Sequence, residues 1–165
     1  MLEFTTLMEE SVRNVSQEMA MIIDSEEFKS LELQRRHFTS NTYAHSIRVA
    51  YMAGILAEKW GIDKEETVKA ALLHDFCDRD TKTIDVEKQK GFYLFSHPIA
   101  AALNGDYYFG LTPRQKAAII AHMFPGSLVM PASKMAWAII TADKLAACYE
   151  TFILPSALRK AAVRI

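Results

Sequence analysis

Asp143 stands at a position where a helix would ordinarily carry an apolar side chain. Its neighbours at helical spacing are Ile139, Ile140, Ala146 and Ala147. A carboxylate on such a stripe is expected to be buried, and an unpaired buried charge costs far more than one at the surface. A cation must therefore meet Asp143. The candidates are Arg48, a nearby lysine, a helix N-terminus or a metal ion.

A second carboxylate directly follows a histidine in the pair His74-Asp75. Adjacent residues of a helix project about 100° apart, so both side chains can reach one point just beyond the helix end. Imidazole and carboxylate are common metal ligands, and the second oxygen of a carboxylate can bridge to another ion. The pair alone is weak evidence, because it occurs by chance in many chains. Together with His45 on the preceding predicted helix and with Asp143, it favours a metal ion as the cation.

The elements that must position these side chains are predicted to be helices. From Phe4 to Ile22, apolar residues recur every three or four positions, which is typical of a helix that buries one face. Gly61 is a C-terminal stop signal, and Asp63 with Glu66 forms a D-x-x-E capping box that opens the next helix. The helices predicted in this half of the chain span 2–23, 26–36 and 63–75, with a longer helix that begins between Thr39 and Thr42 and ends at Trp60.

The second half of the chain is predicted to be helical after a long loop over 77–95. Pro98 is placed at the first position of a helix, and Thr112-Pro113-Arg114-Gln115 repeats that signal with a capping box. Further helices are predicted from 113 to about 123, over 133–150 and after Pro155. No stretch alternates with a period of two residues, and no linker or repeat is present. We therefore expect an all-α fold in a single domain over 1–165, with the N-terminal helix packed on the rest.

Composition limits the function classes. The chain has 165 residues and a mass of 18.6 kDa, with 50% hydrophobic and 24% charged residues, which is ordinary for one globular domain and excludes wholesale disorder. Its formal net charge of −1 shows no basic excess, so neither a nucleic-acid polymer nor a membrane is expected as a partner. Two isolated cysteines suit a reducing compartment. Because the sequence shows no signal peptide or membrane-spanning stretch, a cytoplasmic location is expected.

The order of His45, His74-Asp75 and Asp143 resembles the H…HD…D signature of the HD superfamily of metal-dependent phosphohydrolases. The resemblance covers roughly residues 39–150. The matching segments are Ala44-His45-Ser46-Ile47-Arg48-Val49-Ala50, Ala71-Leu72-Leu73-His74-Asp75 and Thr141-Ala142-Asp143-Lys144. Two more segments, Ser96-His97-Pro98 and Ala121-His122-Met123-Phe124-Pro125, are similar to those that extend the pattern to H…HD…H…H…D in the binuclear subgroup. The chain looks most like small bacterial HD-domain proteins.

The resemblance implies a compact helical bundle with a metal site between its central helices. One ion would be held by His45, His74, Asp75 and Asp143. A second ion would be held by Asp75, His97 and His122, so that Asp75 bridges the two. Mixed imidazole and carboxylate ligands suit one or two divalent transition-metal ions. Iron is favoured, and manganese, zinc, cobalt and nickel are alternatives.

The activity implied by the resemblance is hydrolysis of a phosphate ester or anhydride by metal-activated water, with a small phosphorylated metabolite or nucleotide as the substrate. His74 and Asp75 would be catalytic through the metal. Asp80 could act as a general acid or orient the water, or could be a solvated loop charge. Arg48 and Lys144 could contact a substrate phosphate. Arg48 could equally form a structural pair with a carboxylate. Lys144 could instead simply be solvated.

Two other functions stay open at this point. Some HD-superfamily members with the same ligand pattern are mixed-valent di-iron oxygenases, and a catalytically silent module with a structural metal is the third reading. No Gly-Tyr-Pro segment lies near His122, which argues against a cyclic-di-GMP phosphodiesterase. A small phosphorylated molecule is the expected partner, and a homodimer is also allowed.

Overall fold

Helices make up the frame of the protein in the computed structural model, which describes residues 2–36, 40–77 and 93–153. The described α-helices are α1 (Leu2–Arg13), α2 (Gln17–Asp24), α3 (Glu26–Lys29), α4 (Thr42–Trp60), α5 (Lys64–Leu72), α6 (Tyr93–Phe109), α7 (Pro113–Ile120) and α8 (Lys134–Cys148). A 3₁₀ turn (Ser30–Leu33) follows α3, and a π-helical turn (Tyr149–Ile153) continues α8. The prediction of an all-α fold is confirmed.

One small β element was not predicted. Strands β1 (Arg35–Arg36) and β2 (Ser40–Asn41) pair antiparallel, with Arg35 opposite Asn41 and Arg36 opposite Ser40. Strands of two residues are too short to show alternation of apolar and polar side chains, which is why the sequence pattern missed them. The predicted helix over 26–36 is correspondingly shorter, because α3 and the 3₁₀ turn end at Leu33.

The N-terminal helix predicted over 2–23 is in fact two helices, α1 and α2. Ser16 separates them, because its side chain accepts a hydrogen bond from the Met19 backbone N–H at 3.4 Å and so caps α2. The apolar stripe nevertheless runs through both helices, with Val12 and Met19 buried. Periodicity therefore located the buried face correctly but concealed the break.

The capping signals identified in the sequence operate as expected. Gly61 ends α4 in the left-handed conformation, with φ of 62°. Asp63 caps α5 through a 2.8 Å hydrogen bond from the Glu66 N–H to its Oδ1. Thr112 and Gln115 form the complete capping box of α7. Helix α5 stops at Leu72, earlier than predicted, so His74 and Asp75 lie in the turn beyond its end.

The start of α6 corrects a second prediction. Pro98 was expected at the first helical position, but α6 begins at Tyr93 and Pro98 lies inside it. A proline there removes one hydrogen bond to the carbonyl four residues earlier, a cost that falls near the helix start and does not end the helix. As a result His97 projects from an established helical turn. The loop predicted over 77–95 extends too far, because residues 93–95 belong to α6. Residues 78–92 of that predicted loop and the predicted last helix after Pro155 lie outside the described residues.

Small side chains let the central helices approach closely. Helix α4 packs against α1, α5 and α8. On α4 the fully buried small residues are Ala50, Ala53 and Ala57, and on α8 they are Ala138, Ala142 and Ala146. A Cβ at Gly54 would meet Val68 Cγ2 at 3.0 Å, so the Val68 side chain of α5 packs directly on the α4 backbone there. Within the part of the chain that the structure describes, no helix is both long enough and apolar enough to cross a membrane.

Candidate metal centre

Five separate segments bring the six predicted ligand residues together. They come from α4 (His45), the turn after α5 (His74 and Asp75), α6 (His97), the turn after α7 (His122) and α8 (Asp143). None of the six is more than 5% exposed. Polar side chains buried to this degree need polar or ionic partners. The arrangement therefore concentrates the buried polar chemistry of the fold at one point.

Asp75 lies at the middle of the cluster, and its two carboxylate oxygens face different histidines. Oδ2 is 3.2 Å from His74 Nε2 and 3.9 Å from His45 Nε2. Oδ1 is 3.5 Å from His122 Nε2 and 3.7 Å from His97 Nε2. Each oxygen thus has its own pair of imidazole nitrogens. This is the geometry that a bridging carboxylate requires.

Asp143 adds a second carboxylate on the His45 side. Its Oδ1 is 3.1 Å from His45 Nε2 and 3.8 Å from His74 Nε2, and its Oδ2 is 2.6 Å from Lys144 Nζ. Burial raises the pKa of Asp143, but the His45 hydrogen bond and the nearby His74 and Lys144 charges outweigh it and hold the pKa well below its usual value. Asp143 is therefore a carboxylate, as a metal ligand must be.

Backbone carbonyls orient two of the histidines. His74 Nδ1 is 2.7 Å from the Ala71 carbonyl, and His122 Nδ1 is 2.7 Å from the Ile119 carbonyl. A carbonyl only accepts, so each Nδ1 carries a proton and each Nε2 atom is directed into the cluster. Burial lowers the pKa of His122 to about 3, so this imidazole is neutral at physiological pH.

His45 is oriented by a side chain instead. Both Glu150 carboxylate oxygens are 3.1 Å from His45 Nδ1, which donates to them. Burial raises the pKa of Glu150, but the His45 hydrogen bond and the charges of His45 and Arg48 more than compensate, and the pKa lies below its usual value. Glu150 was not singled out in the sequence. It lies seven residues after Asp143, two helical turns on the same face, and that spacing was the available signal.

The arrangement of nitrogen and oxygen atoms in the cluster is better explained by bound metal ions than by protons on the histidines. His45 lies between two carboxylates that only accept hydrogen bonds, so both its nitrogens would need protons unless a cation replaces the one at Nε2. The His97 and His122 Nε2 atoms are 3.2 Å apart, which a shared cation also explains. Among the described residues, two groups of three donors lie within 4.8 Å of one another: His45, His74 and Asp143, and His74, Asp75 and His122. Either group could hold a metal ion.

The other predicted site residues have different surroundings. Arg48 is buried, and its Nη1 donates to Glu150 Oε1 at 2.7 Å and to Ser40 Oγ at 2.9 Å. The structure thus shows the carboxylate pair that was one of the two alternatives for Arg48, and a contact with substrate stays a prediction. The Lys144 side chain is 48% exposed beside Asp143. Asp80 lies outside the described residues.

The fold and this cluster together define a helical domain of a known family, with a candidate metal site between its helices. The HD domain family model matches residues 42–148, which include all six residues of the cluster. The chain belongs to the HD domain family, and the resemblance seen in the sequence is confirmed. No solved structure matches the chain with statistical significance.

Relatives among the curated proteins include several bacterial enzymes named Ribonuclease Y. That of Mycoplasma capricolum subsp. capricolum is 32% identical over 102 residues, which are 62% of this chain and 18% of the relative. That of Mycoplasma mycoides is 33% identical over 101 residues, which are 61% of this chain and 22% of the relative. That of Geobacter metallireducens is 34% identical over 88 residues, which are 53% of this chain and 15% of the relative. The chain therefore spans less than a quarter of these curated relatives.

These relatives overturn one expectation from the sequence. A nucleic-acid polymer was excluded as a partner because the net charge is −1. The relatives are named ribonucleases, enzymes that act on RNA, so the exclusion was wrong. The physical reason is that net charge averages over the whole surface, whereas the field that meets a phosphate is set by the charges at the site.

Proposed function

We propose that this chain is a metal-dependent phosphohydrolase domain that cleaves phosphodiester bonds of RNA. The observation that carries the proposal is the position of Asp75, whose Oδ1 and Oδ2 face separate histidine pairs within 3.9 Å. One carboxylate between two sets of imidazoles is suited to a pair of divalent ions. The names of the relatives supply RNA as the substrate class.

The residues divide between two ions that share Asp75. His45, His74 and Asp143 would hold one ion with Oδ2, and His97 and His122 would hold the other with Oδ1. Bound divalent ions would lower the pKa of water toward about 7 and neutralise phosphate oxygens. Four imidazole donors favour a transition metal over magnesium; iron is the metal proposed, and manganese, zinc, cobalt and nickel remain alternatives.

The chain's own groups then define the rest of the reaction. Asp75 and Asp143 would bind metal as carboxylates, which only accept hydrogen bonds, so they would take no part in donating protons to the leaving group. The attacking water gives up one proton to solvent and its oxygen forms a bond to phosphorus, while one P–O ester bond breaks and the leaving oxygen takes up a proton. Asp80 is the proposed donor of that proton. The products are one strand with a phosphate monoester and one with a hydroxyl group.

Lys144 is the proposed contact for the substrate. Its exposed side chain stands at the rim of a buried cluster, with Nζ 2.6 Å from Asp143 Oδ2. A phosphate that reaches the cluster from solvent would therefore pass an ammonium group. Charge-assisted contacts of this kind are stronger than neutral hydrogen bonds.

The test is cleavage of an end-labelled single-stranded RNA by protein loaded with Fe²⁺, Mn²⁺ or Zn²⁺. We expect metal-dependent products with phosphate and hydroxyl ends, and no 2′,3′-cyclic phosphate, because water and not the 2′-hydroxyl attacks. Asp75→Asn should abolish cleavage, while Asp106→Asn, a surface carboxylate paired with Lys116, should not. Loaded protein that leaves RNA intact but releases phosphate from nucleotides would contradict the substrate class. Oxygen consumption without RNA cleavage would contradict the reaction.

A further inference from the structure

Two carboxylates hold the His45 imidazole from opposite sides. Asp143 Oδ1 is 3.1 Å from Nε2, and both Glu150 oxygens are 3.1 Å from Nδ1. Asp143 lies on α8 and Glu150 lies in the π-helical turn that continues it. A single continuous segment therefore supplies the partner for each nitrogen of the ring. His45 and Glu150 are both essentially inaccessible to solvent, at 0% and 1% exposure.

Glu150 is itself held in place by Arg48. Arg48 Nη1 donates to Glu150 Oε1 at 2.7 Å and to Ser40 Oγ at 2.9 Å, and Nη2 donates to Thr5 Oγ1 at 3.3 Å. The arginine thereby ties the carboxylate to β2 and to α1. A carboxylate with one oxygen fixed by a guanidinium has little freedom to turn away from the imidazole.

We propose that Glu150 is a positioning residue of the metal centre: it accepts the Nδ1 proton of His45, directs the Nε2 lone pair at the metal and raises the basicity of that ligand. A histidine ligand whose other nitrogen donates to a carboxylate is better oriented and a stronger donor than one that donates to solvent. The inference rests on the metal site of the proposed function. The inference goes beyond the proposed function, because Glu150 lies outside the residues 42–148 that the family model matches.

The other oriented histidines provide an internal contrast. His74 and His122 donate from Nδ1 to backbone carbonyls, which no substitution removes. His45 instead donates from Nδ1 to the Glu150 side chain, which a substitution can remove. A change at Glu150 should therefore weaken the ion bound through His45 and leave the ion bound through His122 in place.

The experiment compares metal affinity in folded variants. Zn²⁺ and Co²⁺ dissociation constants would be measured by competition with a chromophoric chelator for wild type, Glu150→Gln and Glu150→Leu. The control is Lys69→Met, which removes another buried polar side chain, one that donates to Glu18 and to the Phe109 and Gly110 carbonyls. We expect Glu150→Leu to weaken one of two ions by about 10- to 100-fold. Glu150→Gln, which keeps an acceptor, should fall between it and wild type, and Lys69→Met should stay within about twofold of wild type.

A second variant keeps the test decisive if Glu150→Leu does not fold. That substitution leaves the Arg48 charge buried without its partner, whereas Arg48→Met with Glu150→Leu removes both charges together. The double variant should show the same 10- to 100-fold loss for one ion, and the visible spectrum of its Co²⁺ complex should differ from wild type. Affinities and spectra equal to those of Lys69→Met would overturn the role of Glu150. A wild-type protein that binds no divalent ion would instead overturn the proposed function.

Discussion

The two sides of Asp75 are built differently. The carboxylate-rich side, defined by His45, His74 and Asp143, combines two imidazoles with a second carboxylate. The imidazole-rich side, defined by His97 and His122, faces the shared Asp75 Oδ1 among the described residues. The sides also differ in support, because Glu150 orients His45 whereas a backbone carbonyl orients His122.

This difference predicts unequal metal affinity. Anionic ligands attract a divalent cation more strongly than neutral imidazoles do, and a carboxylate partner raises the basicity of a histidine ligand more than a neutral carbonyl does. We therefore expect the carboxylate-rich side to fill first and the imidazole-rich side to fill at higher metal concentration. A division of this kind allows one ion to be structural while the other exchanges with solution.

The largest effect is expected from Asp75→Ala, which removes the only ligand common to both sides. Both ions should be lost and RNA cleavage should fall to the level of metal-free protein. Each ion lost also withdraws its contribution to folding, about 2.7 kcal/mol for an ion supplied at a hundredfold its Kd. Elemental analysis of the purified variant and its thermal unfolding with and without added metal measure both effects. Metal content equal to wild type would show that Asp75 is not the bridge.

A pair of single substitutions separates the two sides. His122→Ala should release the ion of the imidazole-rich side and keep the other, so that stoichiometry falls from two ions toward one. Asp143→Ala should empty the carboxylate-rich side first. Calorimetric titration of metal-free protein gives the number and affinity of ions in each variant. Equal loss from both sides in the two variants would mean that the six residues form one undivided site.

The fold was predictable wherever the signal was local. Asp63, Thr112 and Gly61 act through their own turns, so their capping roles could be predicted from short sequence patterns. Pro98 could not be placed in this way, because a helix tolerates one missing hydrogen bond when its packing compensates. The break between α1 and α2 at Ser16 was hidden for a similar reason, since the stripe of buried residues continues across it.

The site was predictable in part, and the difference lies in distance along the chain. His45 and Asp143 are 98 residues apart, and only the family pattern placed them together before the structure brought them to 3.1 Å. Glu150 has no place in that pattern, although its spacing from Asp143 marks the same helical face. The partner class was mispredicted because net charge carries no information about the local field of the site.

The two sides should also respond to acid at different pH values in metal-free protein. The folded-state pKa of His122 is about 3 against an ordinary 6.5, so below pH 6.5 the unfolded chain binds a proton that the folded chain does not. Stability should therefore fall, on the order of 3 kcal/mol, as pH drops from 6.5 toward 3. The Asp143 pKa is depressed below 3.8, so its contribution is complete above 3.8 and is lost only as pH falls further.

Urea unfolding with a chelator present, at a series of pH values between 7 and 4, measures this dependence. His122→Asn should flatten the curve between pH 6.5 and 4 and leave the steeper fall below it. Parallel curves of unfolding free energy against pH for wild type and variant would show that His122 does not cause the loss of stability between pH 6.5 and 4. The imidazole-rich side would then have no acid response of its own.

The smallest effect is expected at the rim, where Lys144 stands beside the carboxylate-rich side. Lys144→Ala removes an ammonium that is 48% exposed, so solvent screening places its contribution to substrate binding near the low end for a charged contact. We expect a roughly tenfold rise in KM for RNA, equivalent to about 1.4 kcal/mol, with kcat and metal content unchanged.

The control is Lys134→Ala, which removes a lysine at the other end of α8, about 15 Å away along the helix, where its Nζ donates to the Trp60 carbonyl. Because that lysine is remote from the cluster, its loss should leave KM unaltered. Equal KM values for both variants and wild type would assign Lys144 to its pair with Asp143 alone and place substrate contact elsewhere on the carboxylate-rich side.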